Sequence, residues 1–104
     1  MEKSRATGSV TAVPNPVQVC DGTGTGKTTL RWTASGATLV EVRIGSPDGA
    51  LFAQTGPDGA TKETGRWVSD GTVIDLQDVT GGRPLTADNT IATLTLKVTT
   101  AGCP

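Results

Sequence analysis

The sequence predicts an all-β domain built as a two-layer sandwich of about seven strands. Three observations predict it. The chain of 104 residues holds 14 Gly and 6 Pro, the residues that make tight turns. Thr, whose branched Cβ suits a pleated surface, recurs in nearly every apolar run. Those runs alternate polar and apolar residues with a period of two, and turn signals separate them every ~8–12 residues, as in a β-sandwich. A small open barrel is the competing architecture. The length suits one domain with one core.

Residues 1–9 are polar and read as a flexible N-terminal arm, with the domain over residues 10–104. In V-T-A-V-P-N-P-V-Q-V, from Val10 to Val19, two prolines interrupt an apolar run. Proline donates no ladder hydrogen bond, so this is an edge strand with a break. Asp21–Lys27 is a loop. T-T-L-R-W-T-A, Thr28 to Ala34, puts Leu30, Trp32 and Ala34 on one face. Leu39 to Ile44 puts Val40, Val42 and Ile44 inward, with Glu41 and Arg43 outward. The short turn between these two strands predicts that they pair. P-D-G at Pro47–Gly49 and again at Pro57–Gly59 predicts two β-turns flanking a short strand, Ala50 to Gln54.

A short strand is expected within Thr61–Val68, ending in G-R-W-V. Thr72–Asp78 follows, with Ile74 and Leu76 inward and Asp75 and Gln77 outward. Residues 80–90 form a long hairpin loop. Ile91–Thr99 is the longest alternating run, with Ala92, Leu94, Leu96 and Val98 inward.

Composition excludes several functions. The net charge is −1 and the nine basic residues are dispersed, so no phosphate-binding footprint is expected and nucleic acid is not a partner. No apolar run approaches ~20 residues, so no membrane insertion is expected. The N-terminal stretch has no apolar segment after its charges and does not read as a signal peptide. The expectation is a piece of a longer secreted chain, with a cytosolic domain as the alternative. With no histidine, imidazole catalysis and His ligation are out.

D-G-T-G-T-G-K-T-T at Asp21–Thr29 is the nearest approach to a phosphate loop. It carries Asp21 where the motif needs its first Gly, and a strand follows where the motif needs a helix. Asp48, Asp58, Asp70 and Asp88 each stand beside Gly or Asn and read as turn formers. Oxygen-only calcium binding by these loops and Asn89 has no D-x-D-x-D-G run behind it. Asp75 and Asp78, three apart on one strand, face opposite ways. No carboxylates converge as hydrolysis needs. The chain reads as no enzyme, with no cofactor and no metal.

Thr28 to Ile44, T-T-L-R-W-T-A-S-G-A-T-L-V-E-V-R-I, resembles bacterial immunoglobulin-like modules. These carry a strand of form L-x-W-T, a turn x-G-A-T and a strand V-x-V-x-I. The resemblance extends over about residues 10–100 and implies an immunoglobulin-like or fibronectin-III-like accessory domain. There is no tyrosine, so no tyrosine corner, and the cysteines do not lie in the inward strands that antibody-type domains bridge. Such modules serve as spacers, adhesion units or sugar-binding accessories. The implied partners are other domains of a parent protein, a protein partner or a polysaccharide, with the isolated domain a monomer.

In that architecture the second half of the first strand runs parallel to the last strand. Cys20 and Cys103 then emerge at one end, where they meet in a disulfide or stay two free thiols. A bridge favours a cell-surface or secreted location, and free thiols a cytoplasmic one. The possible ligand-binding residues are Trp67, Arg66 and Phe52. Trp67 is either a second core anchor or an exposed ring that stacks on a sugar or a partner's aromatic side chain. Phe52 poses the same choice.

Overall fold

The computed structural model describes residues 4–104. It contains β1 (Thr7–Val13), β2 (Val17–Gln18), β3 (Thr29–Ser35), β4 (Val40–Ile44), β5 (Ala50–Thr55), β6 (Ala60–Glu63), β7 (Val73–Asp78), β8 (Thr90–Thr95) and β9 (Val98–Thr99). β1 with β2, and β8 with β9, are each one run of sequence. The nine segments are therefore the seven expected runs.

The strands form two facing layers. One sheet has the order β1-β3-β6 and the other β5-β4-β7-β8, both antiparallel. The prolines explain how the first run serves both layers. β1 pairs with β3 from Thr7↔Ser35 to Val13↔Thr29. Pro14 and Pro16, each after a cis peptide bond, then break the ladder because they donate no N–H. Beyond them β2 runs parallel to β9. The Val17 N–H donates to the Lys97 carbonyl at 2.7 Å and the Val19 N–H to that of Thr99 at 3.0 Å. The parallel first and last strands are as expected.

The core lies where alternation puts it. Val10, Leu30 and Trp32 face Val40, Val42, Ile74, Leu76 and Leu96 across the layers, and Val17, Val19 and Val68 close one end. Trp32 is 1% exposed. Its indole N–H donates to Thr55 Oγ1 at 3.0 Å, so the buried ring keeps its polar tip satisfied. Both P-D-G turns form: Gly49 N donates to Ser46 O at 3.0 Å and Gly59 N to Gly56 O at 3.1 Å. Gly59 is obligatory. Its φ is +73°, and a Cβ there would lie 1.6 Å from the Trp32 carbonyl oxygen.

Other expectations are corrected. β3 and β4 do not pair; they lie in opposite sheets, and the Gly36 turn arches between the layers. Part of the arm expected over 1–9 belongs to the fold. Thr7–Ser9 belong to β1, and Ser4 is buried, its hydroxyl donating to Asp78 Oδ2 at 2.6 Å; residues 1–3 lie outside the described residues. The strand within 61–68 comes early, as β6, while Val68 makes only an isolated bridge to Gly26.

Glu41, Asp75 and Gln77 point away from the core yet are buried. They sit on the two central strands of their sheet, where polar neighbours cover one another. Thr93 donates to Asp75 at 2.9 Å, Gln77 donates to Thr90, and Arg43 and Gln54 donate to Glu41 at 2.5 and 2.7 Å. The last run is interrupted at Leu96 and Lys97, between β8 and β9.

Candidate functional site

A β-bulge creates the site. β5 pairs with β4 through Val42↔Ala53 and then Arg43↔Leu51, so Phe52 is an extra residue with no partner. A bulge bends its strand and re-aims its side chain. The Phe52 ring is thereby placed between both tryptophans. Its centroid lies 6.2 Å from that of Trp32 at 72° and 6.1 Å from that of Trp67 at 69°, the edge-to-face geometry that aromatic quadrupoles favour. The three aromatic residues form one file from core to surface.

Backbone hydrogen bonds on both sides hold Trp67 in place. Thr64 N donates to Thr28 O at 2.8 Å, and Gly26 and Val68 exchange bonds of 2.9 and 3.0 Å. The indole lies against Gly65, where a Cβ would meet Trp67 Cδ1 at 2.9 Å. Trp67 remains 38% exposed and neighbouring Leu51 53%. Together with Ile44, Ala50 and Phe52 they line a recess of about 300 Å³. Lys62, on β6, approaches the lining residue Phe52. Its Nζ lies 4.7 Å above the Phe52 ring and donates to the Phe52 carbonyl at 2.9 Å. This arrangement offers apolar contact and one cationic donor, with no nucleophile or proton carrier.

Of the three residues singled out in the sequence, the structure joins Phe52 and Trp67 but not Arg66. Arg66 borders a separate cleft of about 420 Å³ with Val19, Cys20, Asp21 and Lys27. There it lies 3.9 Å from Asp21, while Lys27 lies 3.6 Å from Glu63. Thr23 donates to Asp21 through its hydroxyl and its backbone N–H. These bonds, aided by Arg66, hold the Asp21 carboxyl below the usual range. The Gly/Thr loop thus satisfies itself and leads into β3, with no helix after it.

The turn aspartates are spread over the molecule. Asp48 accepts from Ser46 at 3.0 Å and Asp70 from the Val98 N–H at 3.0 Å. Asn89 is buried and bonded to Arg83 and Pro84. Cys20 and Cys103 are bridged, with Cα atoms 5.5 Å apart. Sequence reading missed Ile44, Ala50 and Leu51 as recess residues and Lys62 as the neighbour of Phe52. Alternation assigns a face but cannot register an unpaired bulge residue, and only the P-D-G turns hinted that the segments carrying Phe52 and Lys62 are close.

No protein-family model matches the chain, and no curated protein matches it. Among solved structures, the solution NMR structure of a CARDB domain from Pyrococcus furiosus is similar. Its TM-score is 0.53 at 18% identity, over 96% of this chain and 99% of that one. At this identity the likeness concerns the fold alone, a β-sandwich.

Proposed function

We propose that the domain is a non-catalytic interaction module of a larger bacterial protein, and that the Trp67 recess is its point of contact. One observation carries the reading: Leu51 and Trp67, two of the three exposed large apolar residues among those described, line one concave site. In a chain with only three aromatic residues, leaving part of a tryptophan in water forgoes burial worth about 25 cal/mol per Å² of apolar surface. A contact that covers the ring recovers it. The disulfide favours an oxidising setting, at the cell surface or outside the cell.

A second reading, carbohydrate binding, is favoured by the same half-exposed ring, which offers a surface for a sugar. Sugar recognition also needs convergent hydrogen-bonding groups. The residues that line the recess are apolar, with Lys62 set against one of them, Phe52, so the protein-contact reading stands first.

Selection of a random peptide library on the folded domain, counter-selected on Trp67→Ala, tests the proposal. Binders that depend on Trp67 are expected, and a library yielding none overturns it. Titration with oligosaccharides, followed by tryptophan fluorescence and amide NMR, tests the second reading through shifts centred on Trp67.

A further inference from the structure

We infer that the recess selects a short peptide bearing a large apolar side chain next to a carboxylate, gripped through side chains rather than by strand addition. This rests on the contact role proposed above. The apolar half follows from the lining. Leu51 and Trp67 are the exposed walls and Phe52 the floor, and a concave apolar site of this size takes one large side chain.

The acidic half follows from charge. Lys27, Arg43, Arg66 and Arg83 each have a carboxylate oxygen within 3.9 Å. Among the described residues Lys62, Arg31 and Lys97 make no such pair, and of these Lys62 lies against the Phe52 ring that lines the recess. An ammonium has three donors. One goes to the Phe52 carbonyl, and two remain on an ammonium 4.7 Å from the centroid of a ring that lines the recess. The whole chain carries a net charge of −1, so preference for an acid here would be a property of Lys62 and not of general attraction.

The mode of binding follows from the strand edge. β5 ends its sheet, and such edges invite an added strand. Here the bulge breaks the regular ladder at Phe52, and Lys62 already holds that residue's carbonyl. An incoming backbone therefore finds no continuous row of free groups.

The test uses three capped pentapeptides with a central Phe, flanked directly on both sides by Glu, Ser or Lys and ending in Val. Binding is followed by NMR of the Trp67 indole N–H. The Glu-flanked peptide should bind best and the Lys-flanked one worst. An exposed ion pair supports steps of about two- to fivefold. Lys62→Gln should level the series and Lys62→Glu invert it. Leu51→Ser, at a half-exposed position that tolerates the change, should weaken all three by about tenfold, as should replacing the central Phe with Ala.

Three peptides that bind equally well, but still through Trp67, would overturn the acidic preference and leave the contact role standing. A Trp67 response to oligosaccharide and to none of the peptides would replace a peptide partner with a sugar. Binding that survives both Leu51→Ser and Trp67→Ala would remove the recess from function altogether.

Discussion

Two tryptophans of similar strand-like surroundings in the sequence have different fates, and the backbone around each decides them. Trp32 alternates with Leu30 and Ala34 in a paired strand, so its burial was legible in the sequence. Trp67 was not legible because its segment is a bridge and a turn rather than a strand, and alternation has no meaning there. Truncation should separate the two roles. Trp32→Ala empties the centre of the core and should cost about 3–5 kcal/mol, read as a fall in the urea midpoint. Trp67→Ala loses only partial burial, and about 1–2 kcal/mol is expected. Equal losses would mean that Trp67 is a core residue after all. Gly65→Ala tests the pose of the ring directly. The added methyl meets Trp67 Cδ1, so the indole must move. Its NMR resonance and emission should change while stability shifts by no more than about 1 kcal/mol.

At the level of strands, the sequence specified faces well and partners poorly. The alternation of β3 and β4 placed Leu30, Val40 and Val42 inward, and they are buried. It could not say whether the intervening turn closes a hairpin or arches to the other sheet, because both choices bury the same faces. Nor could it show that the outward carboxylates of central strands become buried. That burial has a consequence in acid. At Glu41, burial pushes the carboxyl up, but hydrogen bonds from Arg43 and Gln54 and the Arg43 charge outweigh it, so the group is held below the usual range. At Asp78, burial is likewise outweighed by bonds from Ser4 and Thr80 and by the charge of Arg83. A carboxyl lowered on folding stabilises the fold above its unfolded pKa. That stability is lost as pH falls from about 4 through the lower folded values. Thermal unfolding measured between neutrality and pH 2 should show a falling acid limb, and Asp78→Asn should make it shallower. An unchanged limb would remove Asp78 as a contributor.

For the molecule as a whole, the disulfide fixes what the strands hold weakly. The seven-run order was legible because Pro, Gly and alternation punctuate it. The Cys20–Cys103 link became legible only once first and last strands were placed side by side, since spacing alone says nothing about a pair 83 positions apart. The pairing it secures is slight. β2 and β9 share two residue pairs, assisted by Gln18 Nε2 donating to Ala101 O at 3.0 Å. Closing a loop that spans most of the chain removes denatured-state entropy worth about 4–5 kcal/mol in the chain-entropy model. A domain of this size has about 5–15 kcal/mol in total. The double variant Cys20→Ser, Cys103→Ser should therefore lose much of its stability in urea while keeping the same core. The loss should also be uneven. The Val17 and Val19 N–H groups, bonded to Lys97 and Thr99, should lose protection from hydrogen exchange before the N–H groups of Leu30 and Ile74 do. Loss of protection throughout the core at once would mean that the bridge supports the fold globally. Unchanged protection at Val17 and Val19 would mean that the two short strands hold without it.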